Sequence, residues 1–534
     1  MLQVRNQGDD PVSAVRQGYA FDGDCLELGA LVADGAPLAD VPVRVPLSML
    51  NRHGLIAGAT GTGKTKTLQV MAEQLSAAGV PVFAADIKGD LSGLASPGSP
   101  DEKVAARARS VGQEWAPEAF PVELLRLGDD GVGVPVRASV TSFGPTLLAK
   151  VLELNATQES SLGLVFHYAD TAGLPLVELA DLRAVIQHLT SPEGKPDLEG
   201  LGGLSKQTAG VILRELVNFS ASGADAFFGE PEFEVGQLLR TAGDGRGVVT
   251  LLELPSVQDR PVLFSTFLMW LLAELFEELP EVGDLEKPKL VFFFDEAHLL
   301  FTDASKDFLA ALIQTVRLIR SKGVGVFFVT QSPKDVHEDV LAQLGSRVQH
   351  QLRAFTPNDA AALRAAVRTY PTSSYDLEEL LTTLGIGEAV VTVMSEKGAP
   401  TPVAHTMLRA PRSLMAPSPP DVLAGVVTAS PLAATYGERV DRESAYELLS
   451  GRIAAGPGAP VASGEPLTTE EEIKRLEAEI RGLPVPGTVP QPAPSSPRRS
   501  AARSDGPFDA FLETAGRELA KEIVRGVFGT RRRR

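Results

Sequence analysis

The segment 54–65 reads GLIAGATGTGKT, a short apolar stretch followed by a glycine-rich loop that ends in lysine and threonine. The loop, Gly58-Ala59-Thr60-Gly61-Thr62-Gly63-Lys64-Thr65, matches G-x-x-x-x-G-K-[ST], and its glycines let backbone N–H groups surround phosphates. The N-terminus of the following helix adds a favourable dipole. We therefore predict an ATP site in which Lys64 reaches the β- and γ-phosphates and Thr65 holds Mg²⁺. Lys66 is included among the nucleotide-binding residues.

The residues around the loop predict an α/β fold. A helix through about Gly79 and the strand VPVFAAD (80–86) complete a βαβ unit with the strand before the loop. Four later runs are nearly continuous in apolar residues, as strands buried on both faces of a parallel sheet require. They are GVVTLLEL (247–254), KLVFFFDE (289–296), VGVFFVTQ (324–331) and SRVQHQLR (346–353). Helical spacing separates them, so we predict a mostly parallel central sheet.

Two of these strands end in polar side chains, at the edge where open α/β sheets bind ligands. Asp295 fits the role of orienting the Mg²⁺ shell, and Glu296 that of polarising the attacking water. Gln331 would sense the γ-phosphate or position the water; alternatively it only begins a loop, as Asp295 and Glu296 might only end a strand. The order of these strands indicates a RecA-like P-loop protein of the additional-strand type, in which water is the nucleophile.

Phosphoryl transfer is accelerated by a guanidinium supplied across a subunit boundary. Arg317 and Arg320 precede VGVFFVTQ, and Arg347 and Arg353 bracket the last sheet strand. Each alone could equally form a surface ion pair, but we expect at least one to reach a neighbour's nucleotide. The turn Asp86–Asp90 leads to the same edge of the sheet, and a role in the site stays open there. The seven histidines have no metal-ligand spacing, so no metal besides Mg²⁺ is expected.

Composition restricts the class of protein. The net charge of −18 argues against a protein that coats nucleic acid or membranes with its whole surface, although a basic channel inside an assembly is compatible with it. The single cysteine, Cys25, excludes a disulfide framework and fits a reducing cytoplasm. No signal peptide begins the sequence, and no apolar run reaches the roughly 20 residues that cross a bilayer. We expect a cytoplasmic protein without a transmembrane segment.

Composition shifts along the chain predict seven segments. They are a small N-terminal β region (1–48), the first part of the RecA-like core with the loop (49–96), a mainly helical insertion (97–247), the second part of the core (248–410), a helical or loop extension (411–450), a flexible Pro/Gly/Ala-rich linker with a short charged helix (451–505) and a basic amphipathic C-terminal helix (506–534).

The combined motifs resemble a known family. NRHGLIAGATGTGKT (51–65), VFAADIKGDLSG (82–93), LVFFFDEAH (290–298) and FFVTQSP (327–333) are similar to the HerA/FtsK superfamily, most closely to its HerA-like bacterial branch typified by YjgR. The resemblance covers about residues 40 to 410 and implies an ATPase that assembles as a hexameric ring. Members of the superfamily commonly pump or unwind DNA through the central pore.

The resemblance also implies roles for individual residues. Lys64, Glu296 and Gln331 would be catalytic, Thr65 and Asp295 would hold Mg²⁺, and Arg320 matches the arginine finger. Arg52 and Arg353 align with arginines near the nucleotide. HerA helicases carry a larger N-terminal β-barrel that docks a partner nuclease; because the region 1–48 is short, a nuclease partner is not expected.

Two functions follow from these motifs. The first is a ring-shaped motor that couples ATP hydrolysis to DNA translocation or unwinding. The alternative is an ATP-dependent oligomeric interaction or regulatory protein without DNA translocation, in which the tail helix ending in Arg531–Arg534 recruits an unknown partner. Stimulation of hydrolysis by DNA separates the two.

Overall fold

The structure, a computed structural model, describes residues 10–128, 131–198, 202–254, 261–283, 285–301 and 306–454. It contains two compact units, formed by the described residues of Met1–Val136 with Phe233–Glu438 and of Arg137–Glu232 with Arg439–Arg534. Nearly all of the predicted linker (451–505) and the whole predicted tail helix (506–534) lie outside the described residues.

A twelve-stranded sheet forms the centre of the first unit. Its strands are β1 (Cys25–Ala33), β2 (Ala36–Pro46), β3 (Gly54–Ala57), β4 (Val82–Asp86), β5 (Val122–Leu127), β6 (Val134–Val136), β7 (Val249–Glu253), β8 (Leu290–Phe294), β9 (Val324–Thr330), β10 (Ser346–Gln349), β11 (Glu388–Thr392) and β12 (Ala404–Leu408). The spatial order is β2-β1-β12-β11-β10-β3-β9-β8-β4-β7-β5-β6. From β10 to β6 all neighbours are parallel, whereas β11, β12, β1 and β2 add antiparallel pairs.

This topology confirms the predicted fold class. The strand that ends before Gln331, β9, lies between β3, which precedes the glycine loop, and β8, which precedes Asp295. That intervening strand defines the additional-strand arrangement predicted from sequence. Every residue of β3, β8 and β9 is buried, because helices cover both faces of this part of the sheet.

Helices of the first unit flank the sheet. They are α1 (Pro11–Gly18), α2 (Lys64–Ala77), α3 (Glu102–Ser110), α9 (Pro261–Glu278), α10 (Lys306–Ile319), α11 (Glu338–Leu341), α12 (Pro357–Val367), α13 (Leu377–Thr383), α14 (Pro420–Ala429) and α15 (Ala433–Tyr436). Leu68, Met71 and Leu75 of α2 join Val291 and Phe327 of the sheet in one buried apolar cluster. This packing fixes the helix that follows the glycine loop against the strands that carry the other polar residues.

The second unit is helical. It contains α4 (Val140–Phe143), α5 (Pro145–Val151), α6 (Ala156–Ala172), α7 (Leu179–Thr190), α8 (Lys206–Ala221) and α16 (Ala445–Ala454). A capping box at Asn155 and Gln158 begins α6, and left-handed Gly173 ends it. Within the predicted insertion 97–247, the structure also forms β5 and β6 of the sheet. The apolar positions of Val122–Leu127 suit a helix as well as a strand, which is why the spacing alone did not reveal β5.

The N-terminal hairpin is part of the same sheet. β1 pairs with β2 on one side and with β12 on the other, joining the start of the sequence to the last strand of the second part of the core. The Tyr19 hydroxyl donates to the carbonyl oxygen of Val391 or of Pro402, each 3.0 Å away. In the described parts of the chain, no helix is both long enough and apolar enough to cross a membrane.

Candidate ATP-hydrolysis site

The glycine loop joins the end of β3 to the first turn of α2. Lys64 Nζ donates to the carbonyl oxygens of Gly58, at 2.6 Å, and Ala59, at 3.2 Å, so the side chain folds back over the loop. Gly61 and Gly63 have positive φ values of 83° and 114°, which non-glycine residues rarely adopt. Gly63 caps α2 without a side-chain hydrogen bond, leaving N–H groups of the first turn directed towards the loop.

Two neighbouring segments hold the loop in shape. His350 lies beneath it, with Nε2 2.9 Å from the Thr67 hydroxyl, and a Cβ added at Gly58 would come within 2.4 Å of the His350 Cβ. Burial, followed by the Lys64 charge, lowers the pKa of His350 to about 4, so this imidazole is neutral. On the other side, the Gly387 N–H donates to the Thr62 carbonyl oxygen at 3.0 Å. The loop is therefore supported before any ligand binds.

The two carboxylates that follow β8 have different surroundings. Burial, and then the neighbouring Glu296 charge, raise the pKa of Asp295 to about 7. One Asp295 oxygen, Oδ1, accepts the Glu296 N–H at 2.9 Å, whereas the buried Oδ2 has no hydrogen-bond partner among the described residues. A buried carboxylate oxygen of this kind suits a cation, because a positive charge offsets the cost of its burial.

Glu296 is held by a lysine. Lys88 Nζ donates to Glu296 Oε1 in a close ion pair, while Gln331 Nε2 and His298 Nδ1 lie 3.5 and 3.2 Å from Oε2. Burial alone would raise the pKa of Glu296, but the hydrogen bond and charge of Lys88 hold it below its ordinary value. Glu296 is thus an ionised carboxylate at neutral pH.

The turn after β4 carries that lysine. The fully buried Asp86 accepts backbone N–H bonds from Lys88, Gly89 and Leu91 at 3.2, 2.8 and 2.7 Å. Burial and then the Asp90 charge raise the pKa of Asp86 to about 6. These bonds fix the backbone of the turn, and β4 is the immediate neighbour of β8. The turn whose role the sequence left open therefore lies within the site.

The predicted residues Lys64, Asp295, Glu296 and Gln331 are brought together. Besides burial, which lowers the pKa of Lys64, the charges of Glu296 and Asp295 act on this lysine. Gln331 lines a cleft of about 680 Å³ that opens beside Ala59 and Thr60. Arg353 also lines this cleft, and its Nη2 donates to the Thr60 carbonyl oxygen at 3.3 Å. A hydrolytic water could approach a phosphate on the loop from this side.

Other predicted residues lie elsewhere. Arg52 ends the 3-10 turn Leu47–Arg52 before β3, and Arg320 begins the turn Arg320–Lys322 before β9. Both therefore lie at the edge of the sheet opposite the loop, since the seven residues of β9 span roughly 20 Å. Lys66 Nζ donates to Gln69 Oε1 at 3.1 Å along α2 rather than towards the loop carbonyls. Within one chain, the side chains of Arg52 and Arg320 do not join the predicted site, whereas Lys66 lies where the charges of Asp90 and Asp86 of the neighbouring turn act on it.

The donor set fits a nucleoside triphosphate with Mg²⁺. The loop offers backbone N–H groups and one lysine to phosphates, and Thr65 and Asp295 are the residues that would hold Mg²⁺ through their oxygen atoms. Among the residues the structure describes, no group of three or more His, Cys, Asp and Glu side chains could hold a metal ion alone. Mg²⁺ commonly needs no such cage, because phosphate oxygens and water complete its shell.

Sequence reasoning did not assign roles to Lys88, His350 or Gly387. Lys88 acts through the pairing of β4 with β8, which residue order does not reveal. The available signal for Lys88 was the Lys88-Gly89 pair, which follows directly after the apolar strand β4. His350 and Gly387 support the loop from positions almost 300 residues or more away along the chain, and no local pattern marks them.

Comparison with known proteins identifies similar chains. The family described as Helicase HerA-like C-terminal matches residues 33–534. The DNA double-strand break repair helicase HerA of Sulfolobus acidocaldarius is 21% identical over 393 residues, which cover 73% of this chain and 70% of that protein. The protein of the same name from Sulfurisphaera tokodaii is 24% identical over 383 residues, which cover 70% of this chain and 67% of that protein.

A solved structure of the plasmid coupling protein TrwB in complex with a non-hydrolysable ATP analogue is also similar. It is 18% identical, with a TM-score of 0.47, and the match covers 75% of this chain and 98% of that chain.

Proposed function

The chain belongs to the HerA-like helicase C-terminal family, and on this premise we propose that it is an ATP-hydrolysing motor that moves DNA. One observation carries the proposal: Glu296, an ionised carboxylate, lies beside Lys64 of the phosphate loop and within reach of Gln331. Hydrolysis of a terminal phosphate needs a phosphate cradle, a base and a group that orients water.

In the proposed reaction, the loop N–H groups and Lys64 bind the β- and γ-phosphates. Mg²⁺ bound by Thr65 and Asp295 would neutralise charge on the phosphate oxygens. Glu296 accepts the proton of the attacking water, and Gln331 orients that water. The raised pKa of Asp295 and its unpartnered Oδ2 support a cation at this carboxylate, since a cation favours the ionised form.

We infer that a second copy of the chain completes the site. Arg320 and Arg52 lie at the sheet edge opposite their own loop, so they can serve only a neighbouring chain's nucleotide. A head-to-tail contact between unlike surfaces closes into a ring when the rotation permits, and we propose a hexameric ring. In such a ring, Arg320 stabilises the charge of the transition state in trans.

DNA is the proposed substrate because the similar Sulfolobus and Sulfurisphaera proteins are named DNA repair helicases. We propose that the motor works in the cytoplasm, where ATP is available to drive it. The alternative, an ATP-dependent interaction protein, depends on the tail beyond residue 454, and no observation on the described residues favours it.

The test measures the ATPase rate with no DNA, with single-stranded DNA and with double-stranded DNA at low salt, on protein whose mass in solution is known. We expect DNA to stimulate hydrolysis, and the stimulation to weaken as salt rises because phosphate contacts release counterions. Glu296→Gln should lower turnover by the roughly 10²–10⁴-fold that a general base contributes, leaving a measurable residual rate, while preserving nucleotide binding.

Three outcomes would contradict parts of the proposal. An ATPase rate unchanged by either form of DNA at low salt would remove the motor function and leave the interaction protein. Wild-type turnover in Glu296→Gln would remove the catalytic assignment itself. Hydrolysis by a species with the mass of one chain would contradict the shared site.

A further inference from the structure

The base proposed for hydrolysis has an unusual backbone conformation. Glu296 has φ 47° and ψ 46°, in the left-handed region that bulky residues rarely occupy. Such strain persists only where the surroundings determine the conformation. The Glu296 side chain is 8% exposed, so contacts within the protein, rather than solvent, set the direction of its carboxylate.

Lys88 supplies a charged contact in these surroundings. Its Nζ donates to Glu296 Oε1, whereas the contacts at Oε2 are longer and come from Gln331 and His298. Charge-assisted hydrogen bonds are roughly twice as strong as neutral ones. The side chain of Lys88 is 49% exposed, so its ammonium is not required to fill the core.

The fold positions Lys88 for this contact. β4 pairs with β8 in parallel, with Ala85 opposite Phe294, so the turn after β4 and the residues after β8 leave the sheet side by side. The Asp86 carboxylate then fixes the turn through its three backbone hydrogen bonds. A rigid turn therefore carries the cation to the base, as pre-organised sites require.

Electrostatics explains why the base would need such a partner. The charges of Glu296 and Lys88 both act on Lys64, so the three groups share one local field. A triphosphate bound by Lys64 brings several negative charges next to the Glu296 carboxylate. Lys64 and Mg²⁺ would offset only part of that charge. Without Lys88, the remaining repulsion and the strain of the backbone would both turn the carboxylate away.

We propose that Lys88 is a positioning residue that holds the Glu296 carboxylate in place against the negative charge of the bound triphosphate. This inference rests on the proposed role of Glu296 as the base. It assigns Lys88 no role in nucleotide affinity, so its removal should affect turnover rather than binding.

The test is a double-mutant cycle of Lys88→Met and Glu296→Gln, with ATP turnover at saturation and the affinity for ADP measured on the full chain. Lys88→Met should lower kcat about 10- to 100-fold, which is no more than the lower end of the roughly 10²–10⁴-fold that a general base contributes, and leave ADP affinity unchanged. Lys88→Arg keeps the charge and should restore part of the rate. In the Glu296→Gln background, Lys88→Met should have no further effect, because the group it positions is gone.

Lys103→Met is the matched control, since Lys103 is an exposed lysine of α3 outside the site, and it should behave as wild type. A kcat for Lys88→Met equal to wild type would overturn the inference, as would a loss in ADP affinity with kcat unchanged. Equal losses from Lys88→Met in both backgrounds would also overturn it. If Glu296→Gln keeps wild-type turnover, the proposed function fails instead, whatever Lys88→Met does.

Discussion

Lowering the pH should destabilise this protein in part through one buried imidazole, that of His53. Nε2 of His53 lies 2.8 Å from the Val316 carbonyl oxygen, and Nδ1 accepts the Val326 N–H at 3.0 Å. Only the neutral ring with its proton on Nε2 satisfies both bonds, because a proton on Nδ1 would face the N–H of Val326. Burial, and then the charges of Arg320 and Arg52, lower the pKa of His53 to about 4.

The sign and size of the effect follow from this shift. The folded pKa lies below the unfolded value of 6.5, so the unfolded chain binds more protons between these limits. The stabilisation that comes from the lowered pKa of His53 is complete above pH 6.5 and is lost as the pH falls towards 4. One pKa unit corresponds to about 1.4 kcal/mol. Proton binding to His53 in the unfolded chain should therefore lower the free energy of unfolding by about 2 kcal/mol between about pH 7.5 and about pH 5.

Urea unfolding followed by circular dichroism at both pH values measures this cost. The comparison is with His53→Asn, whose side chain does not titrate in this range. Other groups, including His350, change equally in both proteins, so the difference isolates His53. If wild type and His53→Asn lose the same stability between the two pH values, a buried neutral His53 is not the cause and the reasoning fails.

Three further predictions concern the loop, the helix behind it and the shared site. Gly58→Ala should lower stability by about 1–3 kcal/mol and weaken ADP binding, because its Cβ would meet His350. The control is Gly163→Ala in α6, where an added Cβ has nothing within 4 Å and should stabilise the protein by about 0.5–1 kcal/mol. Equal shifts of the melting temperature in the two variants would contradict this prediction. Glu73→Leu should cost about 2–4 kcal/mol by leaving the N–H groups of Arg412 and Ser413 unpaired, more than Glu73→Gln in the same unfolding assay. Arg320→Ala and Glu296→Gln should each have little ATPase activity alone, and mixing them should restore part of the rate through mixed interfaces. A mixture that is no more active than its components after subunit exchange would argue against a shared site.

The site could be predicted from the sequence where one short segment contains both a buried strand and the polar residues that follow it. The glycine loop, Asp295–Glu296 and Gln331 each directly follow a buried strand, and parallel strands bring their carboxyl ends to one edge. The structure forms these strands next to one another and brings these side chains together. Their catalytic roles stay proposals until the variants are measured.

The rest depends on contacts between distant segments. Lys88 contacts Glu296 only because β4 lies beside β8 in the sheet. Local sequence patterns do not predict which parallel strands are neighbours. β5 was not predicted, because the spacing of its apolar residues also fits a helix. The assignment of Arg52 and Arg320 needs a second chain, since within one chain both lie at the far edge of the sheet.

The N-terminal hairpin has a practical consequence for anyone shortening this protein. β1 covers the edge of β12, and β2 in turn covers β1 with a strand that contains Pro37, Pro42 and Pro46. Proline cannot donate to a further strand, so β2 ends the sheet at a blunt border. A version that begins just before Arg52 would keep every residue of the proposed site but expose β12 as an open edge. Poor solubility of such a version would therefore reflect a lost border strand rather than a defect in the ATPase.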